Sequence, residues 1–473
     1  GLGDVYKRQI QFSAKQIIDD NVITIFANEP FIRTDKLENR LCDVVEQLFD
    51  QKLSDLTNSV LKRLPPTFNC ITPLPINRQL FPDNHNYLDA ILSAVQAIKN
   101  SCLCIQGPPG AGKTYTARAV ITRLVLQGKR IGVTSNSHAA ILNLLDGLHK
   151  STNQANMVKI GGNEIEFLEK YSYDFKKSMA DFTNETYSAY QIIGGTVFAF
   201  AHDIAFDIPL DYLFVDEASQ VPLANLTAIS GAAENIVLIG DQMQLEQPTQ
   251  GSHPGKSGLS ALEFMLNGYH VVPEDRGIFL ETTYRMHPDV CKPISETVYE
   301  GKLHADSNNI NQRISIPFGK LITKHNGILT IDVNHEGNRQ SSIEEVYLIK
   351  DLINELEMGT YCDKNGKERS ITADDIMIVA PYNMQVNLLK ENLGDNYAIG
   401  TIDKFQGQEA PVVIVSMAVS DPHESSRGVD FVFDINRLNV AISRAKALAI
   451  IIANPELKNC RVTSMNQMEK LSF

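Results

Sequence analysis

The sequence has no apolar run approaching the roughly 20 residues that a membrane-spanning helix needs. No signal peptide is visible. It also lacks an internal repeat, a low-complexity tract and any excess of cations: 43 Lys and Arg stand against 56 Asp and Glu, for a net charge of −13. That balance excludes a general basic coat for nucleic acid and leaves room only for a local basic groove. The seven cysteines (Cys42, Cys70, Cys102, Cys104, Cys291, Cys362, Cys460) contain no CxxC pair. Only Cys102 and Cys104 are close, and in a strand both would face one side. All seven are expected to be reduced thiols in a cytoplasmic protein, with no zinc or iron–sulfur site. Hydrophobic residues at 43% and charged residues at 21% exclude disorder, collagen and a disulfide mini-scaffold. At roughly 100–200 residues per domain, the length suggests about two to four domains.

Gly1–Gln9 reads as translated adapter or cloning read-through and is set aside. The chain is therefore expected to be the C-terminal piece of a longer protein. In residues 10–84, Leu37–Leu64 has helical spacing, and Pro65, Pro66, Pro73, Pro75 and Pro82 then break it, so this part reads as a mainly helical remnant and linker. From residue 85 short β-branched runs alternate with helical stretches. The candidate strands are Cys102–Gln106, Ile131–Thr134, Gln191–Gly194, Tyr212–Val215 and Ile236–Ile239, then Ile328–Val333, Ile376–Ala380, Val412–Ser416 and Leu448–Ile452. Runs apolar on both faces suit buried parallel strands flanked by helices. The two sets, separated by a Pro- and Gly-containing stretch around Met286–Phe318, predict two tandem doubly wound α/β domains, 85–284 and 285–473.

Gly107, Pro108, Pro109, Gly110, Ala111, Gly112, Lys113 and Thr114 fit GxxxxGKS/T, between a strand-like run and a helical pattern that opens with Tyr115. Glycines let the backbone curl so that N–H groups point at phosphate oxygens, and the helix N-terminus adds partial positive charge. Lys113 is expected on the β- and γ-phosphates of ATP, Thr114 on Mg²⁺. Asp216 and Glu217 end a hydrophobic strand. Paired with the P-loop, Asp216 is expected to bind Mg²⁺ through water, and Glu217 to act as general base.

Further along come VDEAS, GDQMQLEQP (Gly240–Pro248), TYRMHP (Thr283–Pro288), TIDKFQGQE (Thr401–Glu409) and NVAISRAK (Asn439–Lys446). In this order they resemble the RecA-like core of superfamily 1 helicases of the Upf1/Dna2-like branch. The resemblance covers roughly residues 85–460 and is nearest to the helicase half of bacterial RecB-like nuclease–helicase fusions. It implies a P-loop ATPase that travels 5′→3′ on single-stranded DNA or RNA, acts as a monomer, and has its nuclease part outside this chain. Residues 10–84 show no Asp, Glu and Lys cluster for a nuclease. Gln244 can sense a γ-phosphate or orient water, or be a loop amide bonded to backbone. Arg285 and Arg444 are candidate arginine fingers or ordinary ion pairs. By resemblance Tyr284 stacks on adenine, a core Tyr being the alternative, and Glu409 lies on the ribose side. The family often has a Gln-containing adenine-reading motif some 20 residues before the P-loop. Here Gln96 is too close to the P-loop to serve, which leaves base selectivity open.

For the nucleic-acid track, Thr134, Ser135, Asn136 and His138 follow a strand and open a helix, where hydroxyls and N–H groups can hold a phosphate. Thr196, Tyr382, Thr401 and Asp403 resemble the family's other contact positions. Each alone reads equally as an N-cap or turn, and His138 as a cap or packing residue. An RNA-remodelling ATPase, or a nucleotide-dependent clamp that does not unwind, stays open beside the DNA motor. Lys113→Ala is expected to abolish ATP hydrolysis; near-normal turnover in a phosphate-release assay would remove the P-loop assignment.

Overall fold

A computed structural model describes residues 34–69, 87–152, 155–245, 254–405, 407–461, 464–465 and 467–468. Eight strands build the first sheet: β1 Cys102–Gln106, β2 Ile131–Thr134, β3 Met157–Ile160, β4 Asp174–Lys176, β5 Ile192–Gly194, β6 Leu210–Val215, β7 Ala233–Gly240 and β8 Gly277–Phe279. Their order is β4-β3-β5-β2-β6-β7-β1-β8, and every neighbouring pair is parallel. Ten more strands follow: β9 Thr282–Thr283, β10 His304–Ala305, β11 Arg313–Ser315, β12 Gly327–Asp332, β13 Thr360–Cys362, β14 Glu368–Ser370, β15 Ile376–Val379, β16 Ala398–Gly400, β17 Ala410–Ser416 and β18 Ala445–Ala453. The second parallel sheet has the order β12-β18-β17-β15-β16. Strands β9 and β10 form a short parallel pair, and β11, β13 and β14 a small antiparallel sheet.

The two faces of each sheet are legible in the strand alternation. On β1, Leu103 and Ile105 face the helices Lys113–Leu126 and His138–Ser151, through Ile121, Leu124, Ile141 and Leu144. Cys102 and Cys104 point the other way, into a cluster that also holds Leu213, Val215, Ile236 and Leu238. That cluster runs on without a break to Val413, Val415, Met377 and Val440 beside the second sheet. The two RecA-like sheets therefore share one apolar core, and both lie in one compact unit, Lys36–Phe473. The far face of the second sheet packs Ile376, Ile378, Val412 and Ile414 on the helix Ile343–Glu357.

All nine strands expected from the sequence are present, with ends shifted by up to three residues. Four strands of the parallel sheets escaped the pattern. β4, β8 and β16 are three residues each. β3 carries Lys159 in its middle, fully buried against expectation for a lysine. The stretch after Met286 holds the helix Pro288–Val298, started by Pro288 at its first position and packed on β12 and β18. In the N-terminal part, Asp35–Phe49 and Asp55–Lys62 are helical, and Leu37, Leu56 and Val60 join the core. The expected features at residues 1–9 and at Pro73, Pro75 and Pro82 lie outside the described residues. Among the described residues no helix is long and apolar enough to cross a membrane.

The second sheet is closed at its C-terminal edge by a buried carboxylate. Glu345 is wholly buried and accepts from the backbone N–H of Ala418 (3.0 and 3.1 Å), from the Ser416 hydroxyl and from His335 Nε2 at 3.2 Å. These bonds hold Ala418 at a φ of 61°, a conformation few non-glycine residues adopt. Glu345→Ala strands three buried donors and is expected to cost about 3–5 kcal/mol. A urea midpoint close to wild type would show that the network is not needed for stability.

Candidate nucleotide site

The P-loop leaves the C-terminal end of β1, where the Gly107 N–H donates to the Gly240 carbonyl at 2.9 Å and ties the loop to β7. Gly110 and Gly112 have φ of 73° and 79°, which only glycine adopts without strain. At Gly110 space matters too: a Cβ would sit 2.5 Å from the Arg285 Cβ and 2.6 Å from the Thr283 hydroxyl. The segment after β8 clamps the loop at this point. The Thr283 hydroxyl donates to the Pro109 carbonyl at 2.9 Å, and the Tyr284 N–H to the Gly110 carbonyl at 2.9 Å. Gly112 starts the helix Lys113–Leu126, and the Lys113 ammonium donates back to the Gly107 carbonyl at 2.7 Å.

A cleft of about 590 Å³ opens over this loop. Pro108 to Tyr115 line it together with Ser135, Asp216, Glu217, Gln244, Arg285 and Arg444, so groups from both sheets converge on one space. Asp216, at the end of β6, is 6% exposed. Burial, and then the neighbouring Glu217, push its carboxyl up to about 7 against the pull of Lys113. Glu217 sits at a φ of 51°, a strained position of the kind found at functional sites. A crowded acid pair beside a threonine hydroxyl, Thr114, fits a hard divalent cation, whose charge would favour the ionised form. The loop fits a polyphosphate, since its glycines allow the positive-φ turn in which backbone N–H groups form an anion-binding hollow.

The two arginines differ. Arg285 Nε pairs with Glu409 at 2.6 Å and its Nη1 donates to the Ser443 carbonyl at 3.0 Å. Arg444 is 4% exposed, gives one bond at 3.3 Å to the Gln408 carbonyl, and its Nε has no hydrogen-bond partner among the described residues. Burial and the neighbouring Arg285 hold its guanidinium down at about 10. Gln244 bonds a side chain, not backbone: its amide donates to Asp241 at 2.8 Å. Glu409 is taken up by Arg285 and by Lys446 at 3.0 Å; burial opposes its charge, but these cations hold its carboxyl below the usual range.

Two AAA-domain family models match the chain, one over residues 92–250 and the other over residues 260–456. The first contains β1 to β7, the second the second parallel sheet. The chain thus carries one AAA-domain match for each of its parallel sheets. The DNA replication ATP-dependent helicase/nuclease dna2 of Schizosaccharomyces pombe is 28% identical to it over 95% of this chain and 33% of its own length. The DNA-binding protein SMUBP-2 of Rattus norvegicus is 25% identical over 75% of this chain and 41% of its own. The chain thus spans well under half the length of these relatives. An arterivirus nonstructural protein 10 helicase solved with DNA superposes at a TM-score of 0.42 and 16% identity, covering 79% of this chain and 64% of its own.

Around this cleft the positions expected on the nucleic-acid track are scattered in exposure. Asn136 and His138 are exposed, and His138 Nδ1 lies 2.9 Å from the buried Lys159 ammonium. Thr196 and Thr401 are half-buried, and Asp403 is exposed and lies 3.6 Å from Arg437. Three of these positions are buried. Thr134 is completely buried at the C-terminal end of the interior strand β2, Ser135 is buried and faces the phosphate cleft, and Tyr382 is buried against Phe431 with ring centroids 5.4 Å apart. Glu409 is absent from the cleft lining. Tyr284 is 54% exposed, so it is no core tyrosine, and it lies at the rim rather than in the lining. Gln96 bonds Gln127 at 2.6 Å, away from the cleft. Residues 246–248 and 406 of the quoted motifs lie outside the described residues. Asn143 and Gln220 line the cleft and were not foreseen. Their only signal is sequence proximity: Gln220 directly follows VDEAS, and Asn143 lies five residues after His138.

The raised carboxyl sets a pH dependence. Without nucleotide or metal, the stability contributed by Asp216 is complete below its ordinary value of 3.8 and is lost as pH rises to about 7. Asp216→Asn is therefore expected to match wild type in melting temperature near pH 4 and to exceed it increasingly up to pH 7. A difference that does not widen with pH would contradict the burial argument.

Proposed function

We propose that the chain is the motor part of an ATP-dependent DNA helicase or translocase, working 5′→3′ on a single strand as the family resemblance implies. The observation that carries this is the convergence of the P-loop, the Asp216–Glu217 pair and the unpaired guanidinium of Arg444, from the two sheets, on one cleft. Relatives named as helicase/nuclease support a larger nuclease–helicase as the setting.

Lys113 exchanges its bond to the Gly107 carbonyl for phosphate oxygens of ATP, where an ammonium interacts far more strongly. Backbone N–H groups from Gly110 to Thr114 cradle the phosphates, Tyr115 flanks them, and Tyr284 at the rim offers a face to the base. Thr114 and Asp216 hold Mg²⁺, which supplies charge compensation for the phosphate oxygens. Glu217 takes the proton of the attacking water, and Gln244 orients that water or reads the γ-phosphate. Arg444 points its free donors at the charge that develops on transfer, and Arg285 braces Ser443 beside it. Because Arg444 and the P-loop belong to different sheets, nucleotide binding pulls the sheets together and hydrolysis releases them, the geometry of a hinge motor.

Steady-state ATPase activity with and without single-stranded DNA or RNA tests the reading. Strong stimulation by DNA, absent in Glu217→Gln despite retained ATP binding, is the expected result. Stimulation by RNA alone would make the chain an RNA-remodelling ATPase. Stimulated turnover without strand displacement would make it a translocase or clamp.

A further inference from the structure

Behind the cleft runs a buried chain of hydrogen bonds that belongs to none of the phosphate contacts. Asp241 follows β7 and is 1% exposed. Its Oδ1 accepts from the Gln106 amide and from the Met243 backbone N–H, both at 3.2 Å. Its Oδ2 accepts from the Gln244 amide at 2.8 Å and from the Tyr299 hydroxyl at 2.7 Å. Tyr299 comes immediately after the helix Pro288–Val298, has no exposed surface, and rests its ring on Phe279 with centroids 6.0 Å apart. Its hydroxyl oxygen accepts in turn from the Asn439 amide at 2.9 Å. Asn439 also donates to the Met243 carbonyl at 2.8 Å, and its own amide oxygen is buried with no partner among the described residues.

One end of this chain lines the cleft, and the other lies on the helix that leads to a lining residue. Gln244 lines the cleft directly. Asn439 lies in the helix Ile435–Ile442, whose cap residue Ser443 is followed by Arg444. Residues far apart in sequence are thus joined from one lining group to the mount of another by three buried hydrogen bonds. A buried phenol needs a partner, which one bond would satisfy. This one bridges a carboxylate on the first sheet and an amide on the second, and the amide is left half-satisfied. Such groups are costly, and they persist where a specific geometry is required.

We propose that Tyr299 is a positioning residue for turnover, whose hydroxyl makes the placement of Arg444 depend on what Gln244 binds. The inference rests on the reading of the cleft as an ATP-hydrolysis site. When a γ-phosphate draws the Gln244 amide, Asp241 loses a donor on the oxygen it shares with Tyr299. Tyr299 tightens or turns in response, and Asn439 and its helix move with it.

Tyr299→Phe keeps the ring and removes only the bridge. The experiment compares wild type, Lys113→Ala, Tyr299→Phe, Gln244→Ala and the Tyr299→Phe/Gln244→Ala double variant. It reads DNA-stimulated kcat, affinity for a fluorescent ATP analogue, and melting temperature. Tyr299→Phe is expected to lower kcat roughly tenfold, within the range of couplings between contacting residues, with analogue affinity within about threefold of wild type. In the Gln244→Ala background the same change is expected to be silent. Unchanged kcat overturns the inference, as does an undiminished further loss in the Gln244→Ala background. So does a parallel loss of affinity and melting temperature without a separate effect on kcat, since a merely structural tyrosine would behave that way. If Tyr299→Phe does not fold, Asn439→Ala breaks the next bond and faces the same criteria. Wild type no faster than Lys113→Ala would sink the hydrolysis reading itself, which is a different result from an active wild type with an indifferent Tyr299.

Discussion

A carboxylate taken out of water must be met by donors, and Asp241 meets that demand by collecting four of them from three places in the chain. Gln106 comes from the last residue of β1, Met243 and Gln244 from the loop after β7, and Tyr299 from beyond β8. The P-loop starts one residue after Gln106, and the clamp on Gly110 starts four residues after Phe279. The position of the phosphate cradle and that of the segment that closes it are therefore both referred to one buried charge. Around it the apolar core continues from one sheet to the other and forms the floor of the cleft.

Above that floor the charges are not paired off. Arg285 and Glu409 satisfy each other, and the Lys446 ammonium shares the same carboxylate. Asp216 and Glu217, by contrast, crowd one another, and buried Arg444 faces the cleft without a carboxylate at bonding distance. Lys113 makes do with a carbonyl. A protein that spent these groups on stability would have joined them. Keeping them apart is the arrangement expected of a site whose ligand carries the complementary charges, negative toward the arginine and lysine, positive toward the acids. The overall charge of −13 conceals this local pattern.

Relatives at 25–28% identity match most of this chain while extending well beyond it in their own length. The proposed conversion of nucleotide hydrolysis into movement would use the two sheets and the cleft that both line.

Much was settled by the sequence alone, because it depends on neighbours along the chain. Glycines at 110 and 112 dictate a loop of positive φ, the apolar runs dictate buried parallel strands, and GKT after such a run dictates a phosphate cradle. Short strands such as β4, β8 and β16 carry too few residues to show a period, and Lys159 broke the pattern of β3. The tertiary structure decided the rest. It alone distinguishes Arg444, with an unspent Nε, from Arg285, spent on a partner 124 residues away. It alone buries Thr134, Ser135 and Tyr382, and joins Tyr299 to Asn439 across 140 residues. A side chain's partner is set by the packing of whole sheets, and no local spacing in the chain encodes it.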